Sequence, residues 1–299
     1  MIDRAEGILD VAALNKTHIG FVGLGSGGSA GLDMLRYPFR RIDLIDPDKL
    51  AKENVVRHVL DARDIGRFKV DAMREAMIHR NISASTMFAH AARVEDVLHK
   101  IPKPDILVVG IDDPVSQAFV NAWCVENGVF ALYPGVYAKG VGGQIIVVPT
   151  PRDICQQCAV VMMGMPPAER PTGPSNYGVD INALTERKIK AVPCLSWAIT
   201  SIASEVARYV VQFINGVPIE PQVFVRIHES AEVIRLSQEV LPAMSDFIVS
   251  QTAMGLMPLF TLGENGTLVL HRGSITHPNK RWHRCPHHGQ RQSFGIGDI

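Results

Sequence analysis

Gly23, Gly25 and Gly28 stand in G-x-G-x-x-G order directly after a short apolar run, H-I-G-F-V. Glycine lets the main chain turn tightly and approach a phosphate with no Cβ in the way. A helix that starts there presents unpaired N–H groups and the positive end of its dipole to an anion. Asp46 lies 18 residues after Gly28, at the end of a second run of alternating apolar character, with Asp48 close behind. An acid in that place suits ribose hydroxyls. The pattern points to a nucleotide without separating NAD from ATP.

The residues beyond the second run separate the two cofactors. Asn54, Arg57, His58 and then Lys69 come in order along that stretch. Hydride transfer leaves the cofactor phosphates untouched and needs no such cluster. Phosphoryl or nucleotidyl transfer does, because charge develops on the α-phosphate and on the pyrophosphate leaving group. Arg and Lys stabilise that charge.

A second constellation is metallic. Cys155-Gln-Gln-Cys158 is C-x-x-C, and Cys285-Pro-His-His288 is C-x-x-H. Three thiolates and one imidazole make a closed tetrahedral zinc site of the structural kind. His283 and His287 are alternative fourth ligands, and a redox C-x-x-C is the competing reading. Zinc there would clip the end of the chain to the sheet and contribute folding energy, not catalysis.

These residues need elements to hold them. Strand-like runs at 18–23, 41–46 and 104–112 alternate with helical periodicity at 64–80 and 115–128. VFALYPG and GGQIIVVPT add two further strand candidates. Alternation of this kind predicts a doubly wound α/β, Rossmann-like and mostly parallel sheet. Residues 159–192 lose the period and gather prolines and glycines, which reads as a long crossover loop. A strong helix over 194–216 and shorter strands come after it. The expected division is an N-terminal arm over 1–17, a nucleotide-binding half over 18–158, a crossover loop over 159–193, and a C-terminal half over 194–299 carrying the second pair of zinc ligands.

Composition bounds the alternatives. Lys+Arg 30 balance Asp+Glu 30, so no basic footprint for nucleic acid or an anionic membrane exists. The 46% apolar content excludes a disordered chain. No apolar run approaches the ~20 residues of a membrane span. The N-terminus lacks the basic and apolar regions of a signal peptide. Five irregularly spaced cysteines do not form a secreted disulfide framework. The expectation is a soluble, cytoplasmic protein.

Taken together, G-L-G-S-G-G, I-D-P-D, E-N-V-V-R-H, I-G-R-F-K, V-V-G-I-D-D and C-x-x-C resemble the ThiF/MoeB family, adenylating enzymes akin to ubiquitin-activating enzymes. The resemblance spans about residues 15–290. It implies adenylation of the C-terminal glycine of a ubiquitin-like or sulfur-carrier protein, with ATP and Mg2+, in a homodimer. It implies that Asp46 holds the ribose, that Asn54, Arg57 and Lys69 face the phosphates, and that the glycine loop cradles them. It also implies a magnesium-binding acid after a later strand. Counting back from Asn121 and Cys124 favours Asp112, and counting forward from L-V-V favours Asp113. An arginine near the N-terminus often crosses into the partner subunit in this family, and Arg4 is the one available. Many relatives form a thioester. Here Cys194 is the candidate, because a helix N-terminus lowers a thiol pKa; a small buried residue is the alternative. Cys124 reads as core. The other classes are an adenylating enzyme acting on a peptide or a tRNA nucleoside, an NAD-dependent oxidoreductase, and a non-catalytic partner subunit.

Overall fold

The computed structural model describes residues 5, 7–80, 82–136, 142–149, 155–162, 194–227, 260–262, 268–270 and 274–276. Arg4, Cys285, His288 and the alternatives His283 and His287 lie outside the described residues, as do residues 163–193 of the expected loop.

The chain runs α1 (Val11–Leu14), β1 (His18–Val22), α2 (Ser26–Met34), β2 (Arg41–Ile45), α3 (Lys69–His79), β3 (Met87–His90) and α4 (Val94–Val97). It continues through β4 (Ile106–Val109), α5 (Pro114–Asn127), β5 (Phe130–Val136), β6 (Gly142–Val148) and α6 (Gln156–Met162). Then come α7 (Ser196–Ile214), β7 (Gln222–Ile227), β8 (Phe260–Leu262), β9 (Leu268–Leu270) and β10 (Ser274–Thr276).

Eight strands form one sheet in the order β10-β7-β6-β5-β4-β1-β2-β3. The five strands from β5 to β3 pair in parallel. β6, β7 and β10 extend the sheet with antiparallel pairs. β8 and β9 make a separate antiparallel pair. β1 and β4 are buried along their whole length, as parallel strands covered on both faces are.

Alternation along the strands splits the interior in two. Ile19, Phe21, Leu44 and Val108 face a core shared with α3 and α7, through Met73 and Val206. Val22, Ile45, Leu107 and Val109 face a second core shared with α4, α5 and α6, through Val97, Val120 and Ala159. Cys124 belongs to this second core, as its apolar surroundings in the sequence predict. α2 lies against α7, where Ala30 meets Ile199 and Ala203.

Three expectations change. The helix expected over 64–80 begins only at Lys69, because a 3-10 turn over Ala62–Asp64 ends first. α6 carries helix through Met162, into the segment read as loop from 159. α7 starts at Ser196, leaving Cys194 outside it. Among the described residues, no helix is long and apolar enough to cross a membrane.

Candidate active site

The first strand to be laid down sits mid-sheet, with β2 on one side and β4 on the other. Chain direction diverges there, and in open α/β sheets that is where the carboxyl ends of the strands offer a ligand crevice. Gly23 ends β1 at that point, with φ 81°, a conformation that disfavours any residue with a Cβ. Gly28, in the first turns of α2, packs so tightly that a Cβ would lie 1.9 Å from the Gly23 carbonyl oxygen. Gly25 differs from both. It is the N-cap of α2, makes no side-chain cap hydrogen bond, and a Cβ placed on it meets nothing within 4 Å. Two glycines of the motif therefore close the turn, and the third leaves open room in front of an uncapped helix N-terminus.

Leu24, between Gly23 and Gly25, is held from two directions. Its N–H donates to Asp46 Oδ2 at 2.6 Å. Its carbonyl lies 2.7 Å from His58 Nε2. The Leu60 N–H donates to His58 Nδ1 at 3.1 Å, so Nδ1 has no proton and Nε2 carries the one given to Leu24. Burial drives the His58 pKa down to about 4; the Leu24 carbonyl opposes this, and the charges of Lys69 and Arg57 add to it. His58 is thus a neutral ring with a fixed tautomer. Its role was not evident in the sequence, since its partner lies 34 positions away.

Asp46 is 3% exposed. Its Oδ1 accepts the Asp48 N–H at 2.7 Å, so both of its oxygens already hold main chain. Burial raises its pKa, and the charge of Lys69 pulls the other way. Lys69 opens α3 and is itself 8% exposed. Its Nζ donates to Asp48 Oδ2 at 2.9 Å and sits 3.9 Å from Asp46 Oδ2. Asn54 turns its Oδ1 to the Ala51 N–H at 3.1 Å, which closes the 3-10 turn Lys52–Asn54. The Asn54 carbonyl accepts from the N–H groups of Arg57 and His58. Arg57 is thereby set on a rigid turn, close enough to His58 and Cys194 to perturb both.

The two acids after β4 part company. Asp113 is the N-cap of α5, with Pro114 at the first helical position. It accepts from the Ser116 N–H at 3.2 Å and the Ser116 hydroxyl at 2.7 Å. Burial opposes ionisation of Asp113, but the bonds from Ser116 and Val115 outweigh it and lower the pKa. Asp112, in the segment that leaves β4, is exposed. Proline at N1 after an acid was the signal that could have assigned the cap from sequence.

Cys155 and Cys158 are buried, their sulfurs 3.8 Å apart. That is far beyond a disulfide bond of about 2.05 Å. Two sulfurs on a tetrahedral zinc, each at about 2.3 Å, also lie about 3.8 Å apart. Among the described residues, no cluster of three or more His, Cys, Asp or Glu side chains completes a metal site.

Cys194 corrects an expectation. It precedes the Leu195 N-cap of α7 and packs against Ala30, Ile199 and Ala203. Burial raises the thiol pKa, and the nearby Arg57 charge only partly offsets this. The thiol is not the lowered one that a place inside the first helical turn would have produced.

The ThiF family model matches residues 4–239. The chain belongs to the ThiF family. The ubiquitin-like modifier-activating enzyme 5 of Caenorhabditis briggsae is 25% identical over 170 residues, 52% of this chain and 39% of that protein. Among solved structures, E. coli MccB with ATP is similar with a TM-score of 0.56 at 20% identity, over 74% of this chain and 63% of that one. The microcin C7 biosynthetic enzyme MccB in complex with N-formylated MccA gives 0.57 at 21%, over 74% of this chain and 64% of that one. PaaA gives 0.52 at 13%, over 74% and 72%. This ThiF-family chain spans well under half of the curated relative and just under two thirds of the MccB chains. The strand order β5-β4-β1-β2-β3 is the Rossmann-like arrangement expected of the family.

Proposed function

We propose that this chain activates a C-terminal carboxylate with ATP, forming an acyl-adenylate and releasing pyrophosphate. The observation that carries the reading is the joint hold on Leu24. One residue of the glycine loop ties the uncapped N-terminus of α2 to Asp46 and His58, and through them to Lys69 and Arg57.

In this reading the α2 N–H groups at Gly25 receive the ATP phosphates, where a side chain at Gly25 would intrude. Asp46 keeps spare lone pairs for the ribose beside those holding the loop. The acceptor carboxylate attacks the α-phosphorus, and the bond from that phosphorus to the bridging oxygen of pyrophosphate breaks. Arg57 and Lys69, fixed before the reaction begins, stabilise the charge that grows on the phosphoryl and leaving oxygens. The neutral His58 adds a dipole without competing for the anion. Asn54 orients the turn that carries Arg57. Asp112 is the hard oxygen ligand for Mg2+, since Asp113 is committed to its cap. Magnesium supplies charge neutralisation on the phosphates when bound.

The acceptor is a small ubiquitin-like or sulfur-carrier protein, a reading supported by the modifier-activating relative. A free peptide is the second acceptor class. Cys155 and Cys158, with Cys285 and His288, hold a structural zinc. Arg4 reaching a partner subunit in a homodimer and a thioester on Cys194 complete the family scheme.

Isotope exchange between pyrophosphate and ATP tests the core of it. Exchange should appear only with an acceptor that ends in a free carboxylate, and carriers ending in Gly-Gly should outperform short peptides. Absence of exchange with every acceptor, alongside tight NAD binding, would overturn the reading in favour of an oxidoreductase.

A further inference from the structure

Three glutamines form a chain of side-chain amides between the cysteine pair and the loop after β4. Gln157 Nε2 donates to Gln156 Oε1 at 2.6 Å. Gln156 Nε2 donates to Gln117 Oε1 at 3.1 Å. Gln117 Nε2 donates to the Ile111 carbonyl at 2.6 Å. A carbonyl oxygen can only accept, so Gln117 must present its NH2 group to Ile111. Its oxygen is then left for Gln156, and the Gln156 oxygen for Gln157. One acceptor at the end sets the direction of all three amides.

The chain begins in the interior, where a lost bond is costly, and ends at the half-buried Gln117. Gln156 and Gln157 are 2% and 4% exposed, beside the apolar Val120 and Ala159 core. Buried amides without partners are strongly unfavourable, and hydrogen bonds in such chains reinforce one another. Joining α6 to α5 does not require them. The Gln156 main-chain N–H already donates to Asn121 Oδ1 at 2.8 Å. The amides go further, past α5, and end on the carbonyl immediately before Asp112.

We propose that Gln117 is a positioning residue for the Asp112 carboxylate, held in turn by Gln156 and Gln157 from between the two cysteines. Order at the cysteine pair thus reaches the carboxylate that binds Mg2+. This rests on the reading of Asp112 as the magnesium ligand. Val109 ends β4 and Pro114 begins α5; between them the Gly110 N–H donates to the Val22 carbonyl at 2.7 Å and the Asp113 carbonyl accepts from the Gln117 N–H at 2.9 Å. The bond to Ile111 fixes the peptide unit from which Asp112 departs.

Gln117→Met and Gln156→Met keep side-chain length and remove the amide. Two measurements on the full chain decide the matter. The first is main-chain hydrogen exchange of Ile111, Asp112 and Asp113 without ligand. It should accelerate about tenfold in Gln117→Met and by a smaller factor in Gln156→Met, in line with losing one or a more distant hydrogen bond. The second is the Mg2+ concentration that half-saturates binding of a non-hydrolysable ATP analogue. It should rise about tenfold in Gln117→Met, while binding of the analogue without Mg2+ stays as in wild type. A folded Gln117→Met with the wild-type Mg2+ requirement overturns the proposal. If Gln117→Met does not fold, an unaltered exchange rate in Gln156→Met overturns it. Failure of the wild type to bind the analogue sinks the ATP reading instead, and the exchange rates then judge the amide chain alone.

Discussion

Asp46 and His58 grip Leu24 from opposite sides, the carboxylate on its N–H at 2.6 Å and the imidazole on its carbonyl at 2.7 Å. Two successive peptide units of the glycine loop are therefore set before any ligand arrives. Preorganisation of this kind is what makes fixed donors effective toward developing charge.

The buried ring makes stability depend on acid. Unfolded, His58 takes a proton near its ordinary value of 6.5; folded, it does so only at about 4. Between these values the unfolded chain binds more protons, so stability falls as pH drops from 6.5 toward 4. The loss is about 3 kcal/mol at most. Chemical denaturation at a series of pH values should show this limb in wild type and lack it in His58→Gln. Asp46, raised by burial, works in the opposite direction from its ordinary value upward, because there the folded chain holds the extra proton. Asp43 adds a further loss below its ordinary value: burial favours its neutral form, but bonds from His18, His90 and Arg41 hold it well below the usual carboxylate range.

The motif glycines should separate fold from binding. Gly28→Ala forces a Cβ onto the Gly23 carbonyl oxygen and should cost about 3 kcal/mol or more, or prevent folding. Gly25→Ala meets open space at φ −61° and should cost about 1 kcal/mol or less. ATP binding, followed by calorimetry, should nevertheless be lost in Gly25→Ala.

Asp112 and Asp113 should exchange stability for chemistry. Asp113→Ala removes a helix cap and should lower stability by about 1 kcal/mol. Asp112→Asn should abolish the Mg2+ dependence of nucleotide binding. Equal effects of the two substitutions on Mg2+ would contradict this division.

Cys194 should titrate late. Alkylation by iodoacetamide across pH should follow a midpoint above that of a free thiol, because burial opposes the thiolate. Adenylation should survive Cys194→Ala; any thioester seen on the wild type and lost in that variant would assign the cysteine a transfer role after adenylation.

Much of the fold was readable in the residues alone. β1 and β4 announce themselves as short apolar runs because both faces of each are covered, and β2, R-I-D-L-I, by its alternation. β3, M-F-A-H, escapes because it lies at the sheet edge, where only Met87 is fully buried. Asp46 is found by its spacing from Gly28, which follows from the βαβ geometry, and Lys69 by its place in I-G-R-F-K. His58 and Gln117 act on main-chain carbonyls, and a carbonyl has no residue identity for a sequence pattern to display. Cys194 stands two residues short of the helix start, enough to exchange a helix dipole for apolar surroundings.

The outer strand β3 also bears on how copies of the protein meet one another. It is four residues long, and its exposed Phe88 ring lies under the Arg41 guanidinium at 3.7 Å. A short border carrying a positive charge offers a poor template to a foreign strand. The wide sheet is thereby protected on this side against ribbon-like aggregation.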